Sequence, residues 1–276
     1  MKVIQGTNNI HTMLLMYAAV SKGYLMETRG SKCRNVPNMA VVLQANECPL
    51  TSFKPRALNL DYAKAEWLWY LGADKMDDSI EKHATMWKKL RQNDGSYFSN
   101  YGQYIFGDGP FEQSSQFEYV IQQLKKDPSS RRASMILLKQ EHLFDENVDT
   151  VCTYSINFTI VNDVLDMTVM MRSNDVIFGF TNDAFCFWNL YAMVFAILKH
   201  TMSGLAPGNY IHFTNSMHVY ERHFAMIHAI TTTHNGGHIR QPAVPWPTAQ
   251  EALELFKTRG KGGSGAYTTW LKAGLG

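Results

Sequence analysis

The longest apolar segment of the chain, Phe185–Leu198, sets the first constraint on the fold. It falls short of the roughly 20 residues that cross a bilayer, and Asn189 interrupts it. It therefore reads as a buried core helix, running from Asp183 toward Lys199, with Asp183 as its N-cap. The 276 residues, 45% of them apolar, suffice to cover such a helix, as one large domain or two small ones. Charged residues make up 18% of the chain, too ordinary a mixture for a disordered segment. A net charge of +2 is too small for a nucleic-acid coat or a polybasic membrane anchor. Anion binding must then fall to local arginines.

Periodicity places further elements along the chain. The first 25 residues read as a helix capped by Asn8 or Asn9, followed by a Gly-, Lys- and Arg-containing loop over Glu27–Asn38 and a strand over Met39–Leu43. Leu58–Leu71 and Gln116–Lys126 have helical spacing, the second stopped by Asp127-Pro128. Ala133–Lys139, Thr153–Val161 and Leu165–Arg172 read as strands, with Asn162-Asp163 as a hairpin turn. Tyr210–Phe213 reads as a short strand and Met217–Ile230 as a helix. Arg259–Gly265 is glycine-rich and expected to open a mobile tail. This mixture predicts one α/β or α+β domain over residues 1–276 with a mainly antiparallel or mixed sheet.

Cys33, Cys48, Cys152 and Cys186 contain no C-x-x-C pair, so no zinc knuckle is expected. Free thiols in a reducing cytoplasm are the expectation. The apolar run Met13–Val20 follows a polar stretch and lacks a signal peptide's basic start. His218 and His223 stand five apart rather than the four of a zincin helix, and Gly260–Gly265 lacks the spacing of a phosphate-binding loop. No metal site is expected.

Cys152 begins a strand-like run after an acidic loop. Alone it reads as a small core residue. Twenty positions later Arg172-Ser173-Asn174-Asp175 ends the next strand, and a hairpin would bring Arg172 to the same end of the sheet as Cys152. An arginine beside a thiol favours the thiolate and supplies an anion contact. Arg131-Arg132 can clamp a phosphate through guanidinium pairs or stand as a solvated charge pair. Arg29 and Arg34 read either way. Glu66, beside Trp67 and Trp69, is a costly carboxylate if buried.

Four blocks then line up in order: DPSSRRASMI, VCTYSINF, MRSNDVIFGFTND and MHVYERHF. In these the chain resembles thymidylate synthases, and most closely the phage deoxycytidylate (dCMP) hydroxymethylases of that superfamily, over roughly Arg29 to His223. The resemblance implies a twisted mixed sheet flanked by helices and an obligate homodimer formed through the sheet. It implies 5,10-methylenetetrahydrofolate as co-substrate and a pyrimidine nucleoside monophosphate as substrate. Cys152 matches the nucleophile. Arg172, Ser173 and Arg29 match phosphate contacts, and Arg131 and Arg132 match the pair that reaches into the partner subunit's site. His218 and Tyr220 match the pair that bonds the sugar hydroxyl. Glu66 and Tyr101 match the proton-transfer region. Trp87, Asp175, Phe178 and Gly179 match the folate pocket.

The departures are informative. Synthases usually carry Pro-Cys-His where this chain has Val151-Cys152-Thr153, and asparagine where it has Asp183. The C-terminal lid of the synthases is not recognisable. An amide matches the donor and acceptor of uracil. A carboxylate accepts from the cytosine amino group and stabilises a proton on ring nitrogen 3, while it opposes uracil's carbonyl with a second acceptor. The resemblance with Asp183 therefore implies hydroxymethylation of dCMP, with folate-dependent methylation of dCMP or dUMP as the alternative. A cysteine hydrolase and a non-catalytic nucleotide-binding dimer are the rivals from other classes.

Overall fold

The computed structural model describes residues 1–28, 30–107, 114–144 and 146–275. A mixed sheet is its centre. Its strands run in the order β1 (Lys2–Ile4), β3 (Ser31–Gln44), β9 (Ala206–Tyr220), β7 (Val164–Met171), β6 (Thr153–Val161) and β5 (Ser134–Ile136). Two short strands hang on this path: β2 (Tyr24–Thr28) on β3, and β8 (Asn174–Asp175) on β9. β1 is parallel to β3, and β7 and β8 are parallel to β9, while the other pairs are antiparallel. A separate two-stranded ribbon joins β4 (Ser52–Phe53) to β10 (His238–Ile239).

The β6–β7 hairpin turns on Asn162 and Asp163, with φ of 52° and 60°. Both central residues are left-handed, which Asn and Asp tolerate best after Gly, and this turn matches the twist of the strands it joins. The register that follows sets Thr153 opposite Met171. Cys152 and Arg172 thus meet at one sheet end, as the hairpin argument requires.

The helices are α1 (Asn9–Val20), α2 (Leu60–Gly72), α3 (Gly102–Ile105), α4 (Gln116–Lys126), α5 (Gly179–Thr201), α6 (Phe224–Thr232), α7 (Ala249–Lys257) and α8 (Ala266–Lys272). α5 is the expected core helix, buried along nearly its whole length. Its interrupting Asn189 is fully buried and satisfied: its amide donates to Phe185 O, and its oxygen accepts from the Tyr267 hydroxyl at 2.6 Å. Buried apolar residues from Ile4 to Leu271 form one cluster around this helix and the sheet.

Several expectations are corrected. The first helix stops at Val20 and follows a strand, β1. The expected loop over Glu27–Asn38 is mostly strand, because β2 pairs back on β3 from Tyr24↔Asn35 to Thr28↔Ser31. The expected helix at Met217 is strand as far as Tyr220; β3 pairs with it from Cys33↔Tyr220 to Gln44↔Asn209, so its backbone groups are satisfied by a neighbouring strand. His218 therefore lies on β9, and the helix begins only at Phe224. Asp183 is not an N-cap, because α5 starts at Gly179 and carries it inside the helix. The glycine-rich 259–265 stretch leads into α8, which packs on the core through Tyr267 and Leu271. Glu251 fixes it there, accepting from Tyr267 N at 3.1 Å and Thr268 N at 3.3 Å. Among the described residues no helix is long and apolar enough to cross a membrane.

Candidate active site

The ends of β6, β7, β8 and β9 and the first turns of α5 surround a cavity of about 300 Å³. Cys152, Arg172, Ser173, Asp175, Gly179, Asp183, His218, Tyr220 and Tyr101 all line it. Among the described residues the lining sets one arginine, Arg172, and the thiols against three carboxyl groups, so an anion contact can form only at the Arg172 end and hydrogen-bond acceptors dominate elsewhere.

Arg172 organises the cysteine end. Its backbone N–H donates to Cys152 O at 2.8 Å. Its guanidinium donates to Val151 O at 3.0 Å and Thr150 O at 2.6 Å. The cation is thereby pinned to the loop that carries the half-buried thiol. Asp149, three residues before the cysteine, also lines the cavity and accepts from the Ser99 hydroxyl.

Asp183 also lines the cavity. Asn174 Nδ2 donates to its Oδ2 at 3.0 Å. Burial pushes the Asp183 carboxyl up to about 7, with the Asn174 bond acting the other way. Glu66 does not line the cavity; it sits behind it on α2, buried, and is pushed up to about 8, by burial first and by the Asp183 charge second. Tyr62 donates to Glu66 Oε1 at 3.1 Å, and Trp87 Nε1 donates to the Tyr62 oxygen at 3.1 Å. Glu66 Oε2 is buried with no hydrogen-bond partner. An orphaned acceptor of this kind is costly unless a proton, a water or a ligand group meets it.

His218 and Tyr220 stand edge to face, ring centroids 4.9 Å apart, on the β9 side of the cavity. At its mouth, Asp175 accepts from Ile177 N at 3.2 Å and Phe178 N at 3.4 Å, which shapes the turn into α5. Phe178 is 44% exposed, with the Arg56 guanidinium 5.0 Å from its ring centroid and the His223 ring edge to face at 5.0 Å. Trp87 is buried, does not line the cavity, and packs on Trp69 and Tyr97 while donating to Tyr62. Tyr101 is buried, stacked on Phe187 at 6.0 Å.

Arg131 and Arg132 are exposed and do not line this chain's cavity. Arg29 lies outside the described residues. Arg34 packs its guanidinium over Phe224, 5.3 Å from the ring centroid, and is not part of the cavity lining. Asn174, Asp149 and Ser216 line the cavity without having been singled out. Asn174 was within reach, since it is the third residue of the Arg-Ser-Asn-Asp motif. Among the described residues no cluster of three or more His, Cys, Asp or Glu could hold a metal ion.

Comparison with known proteins agrees with this geometry. Residues 15–246 match the profile of a family described as thymidylate synthase. The chain is 30% identical over 185 residues to the deoxycytidylate 5-hydroxymethyltransferase of Enterobacteria phage T4, covering 62% of this chain and 71% of that one. It is also 30% identical over 158 residues to a thymidylate synthase of Fusobacterium nucleatum, covering 57% and 55%. In structure it resembles thermostable thymidylate synthase A from Bacillus subtilis, with a TM-score of 0.61 at 24% identity over 77% of this chain and 74% of that one.

Proposed function

The chain belongs to the thymidylate synthase family of one-carbon transferases, and from that premise we propose that it is a deoxycytidylate 5-hydroxymethyltransferase, converting dCMP, methylenetetrahydrofolate and water to 5-hydroxymethyl-dCMP and tetrahydrofolate. The observation that carries this reading is a carboxylate, Asp183, in the wall of the same cavity as Cys152, with one oxygen anchored by Asn174. Asp183 accepts from the cytosine amino group and shares the proton on ring nitrogen 3. Arg172 and Ser173 receive the phosphate, and His218 and Tyr220 receive the sugar hydroxyl; Arg29 remains a phosphate candidate.

Cys152 adds through sulfur to carbon 6 of the ring, and the proton held between Asp183 and ring nitrogen 3 absorbs the negative charge that develops. Carbon 5 becomes nucleophilic. The folate supplies a one-carbon unit at the oxidation level of formaldehyde. Asp175, in the cavity lining, suits it as an acceptor for ring N–H groups, with the partly exposed Phe178 beside it as an aromatic neighbour. Glu66 positions a water through its free Oε2, and Tyr101 completes the proton path. Carbon 5 bonds the one-carbon unit and gives up its proton as tetrahydrofolate departs, leaving an exocyclic methylene; water adds there as hydroxyl and proton, and Cys152 leaves carbon 6. The exposed Arg131 and Arg132 fit a role in a partner subunit's site, and exposed Ile136, Val161 and Met170 on the sheet strands fit a homodimer formed through that sheet.

The test is incubation with dCMP, dUMP or CMP plus methylenetetrahydrofolate, with products identified by mass and dihydrofolate followed by absorbance. Hydroxymethyl-dCMP without dihydrofolate is expected. A methyl product with dihydrofolate would assign a synthase-type reaction instead, ended by hydride.

Gly179→Ala gives a sharper geometric check. A Cβ there would stand 2.4 Å from Asn174 Oδ1. The group that must yield is a side chain, and alanine suits the first turn of a helix better than glycine does. The variant is nonetheless expected to fold with a Tm a few °C lower, because the buried Asn174 must give up its bonds to Asp183 and His212. Its kcat/KM should fall about tenfold or more, because the displaced amide no longer holds Asp183.

A further inference from the structure

Behind Asp183 runs a line of buried polar groups that the mechanism above leaves unused beyond its first member. Asn174 Nδ2 bonds Asp183 Oδ2 at 3.0 Å and lies 3.1 Å from His212 Nε2. His212 Nδ1 lies 2.8 Å from the Tyr210 hydroxyl. His212 and Tyr210 are fully buried and Asn174 nearly so.

Burial keeps the imidazole uncharged, pushing His212 down to about 3. A neutral imidazole has one N–H and one bare nitrogen. Facing an amide NH₂, the bare nitrogen is Nε2, and the proton sits on Nδ1 toward the Tyr210 oxygen. Both amide hydrogens of Asn174 are then committed, one to His212 and one to Asp183. The amide oxygen is left on the Gly179 side, where only a residue without a Cβ admits it.

An amide turned over has nearly the same shape, so hydrogen bonding rather than packing selects its orientation. We infer that His212 is a positioning residue for pyrimidine selectivity: by accepting from Asn174 it keeps the amide nitrogen toward Asp183, so the carboxylate is anchored through Oδ2 and presents Oδ1 to the ring. With the amide reversed, an oxygen would face Asp183, and the carboxyl would bond it only as an acid protonated on Oδ2. The cavity would then offer the ring a different hydrogen-bond pattern. The selectivity half of this inference rests on the dCMP reading; the anchoring half does not.

His212→Phe and His212→Gln separate the possibilities. Phenylalanine keeps a planar ring beside Phe180, whose centroid lies 4.7 Å from that of His212, and removes the acceptor. Glutamine restores an acceptor. The readouts are kcat/KM for dCMP and dUMP, and the pH midpoint of nucleotide binding. The titratable groups facing Asp183 are Glu66 and Tyr70 from α2, Tyr101, Cys186 from α5 and Tyr210 from β9. Neither substitution replaces any of them, and among them only Tyr210 loses a contact with the His212 ring.

His212→Phe is expected to lower the dCMP-over-dUMP ratio about tenfold and to raise the binding midpoint, since Asp183 loses the donor that favours its charged form. His212→Gln is expected to restore both. A folded His212→Phe protein that keeps the parent's ratio and midpoint overturns the inference. If His212→Phe does not fold, Asn174→Ala replaces it: the midpoint must rise there and hold in His212→Gln, and any other pattern overturns the inference. If the unaltered protein prefers dUMP, the proposed function falls, and the anchoring stands or falls on whether the midpoint moves.

Discussion

Cys152→Ala is expected to abolish turnover, lowering kcat on the order of 10⁴-fold or more, while nucleotide binding stays within about tenfold of the parent protein. The reasoning is chemical. Without sulfur addition to carbon 6, carbon 5 has no activated electron pair, and the cavity's second thiol, Cys33, is buried on β3 with its thiol pushed up by burial, so it does not take over. Arg172, Ser173, His218 and Tyr220 remain to bind the nucleotide. The structural cost is small, because Cys152 is half-buried and the substitution removes one atom. Arg172 should keep its place, since its bonds run to the backbone of Val151 and Thr150 rather than to the sulfur. Steady-state kinetics with dCMP and folate, beside calorimetric titration of the nucleotide alone, make the test. Turnover retained within tenfold would remove covalent catalysis. Loss of binding equal to the loss of turnover would make Cys152 a structural residue.

What the sequence conveyed about this site depended on how local each signal was. The Cys152–Arg172 juxtaposition was legible because one hairpin with a two-residue turn creates it, and Asn162-Asp163 states that turn chemically. The core helix was legible because its apolar run admits few environments. Strand β9 was misread beyond Phe213 because its identity is set by its partner. Met217–Tyr220 has no helix-breaking residue, and only pairing with β3, far away in sequence, makes it a strand. The β2–β3 hairpin was hidden in the same way, beneath a composition that suggests a loop. Asp183 looked like a cap because aspartate caps well, yet Gly179 begins the helix and leaves the carboxylate facing the cavity. The Asn174–His212–Tyr210 line was not legible at all. Its members come from two strands, and nothing in their spacing announces that they touch Asp183 through one another.

The site also has an electrostatic logic that no single residue displays. Two carboxyl groups share a low-dielectric region with one donor for each: Asn174 for Asp183, and Tyr62 for Glu66. Burial raises both, and the charge on Asp183 raises Glu66 further. They therefore titrate as a pair, and the pair gives up or takes a proton near neutral pH. The sign for stability follows. Both are acids raised above their ordinary values of 3.8 and 4.5, so their contribution is complete below those values and is lost as pH rises through about 7 and about 8.

Asp183→Asn is expected to reverse the base preference, with kcat/KM for dCMP falling about 10³-fold or more and dUMP becoming the better substrate. An amide offers uracil a donor for its carbonyl and an acceptor for its ring N–H. Against cytosine it can still accept from the amino group, but it holds no proton to share with ring nitrogen 3. The parent protein should also show a pH limb that the variant lacks. A complex with cytosine needs one proton between Asp183 and the ring. Below about 7 the carboxyl brings that proton with it. Above that value it must be taken from solvent, so kcat/KM for dCMP should fall about tenfold per pH unit. Asp183→Asn acting on dUMP should lose this limb and keep only what Glu66 imposes. Profiles of kcat/KM from pH 5 to 10, parent on dCMP and variant on dUMP, provide the comparison. If the variant keeps the parent's base preference, the carboxylate does not read the ring. If preference reverses but the limb persists, the titrating group is Glu66, and Asp183 selects the base by hydrogen-bond pattern alone.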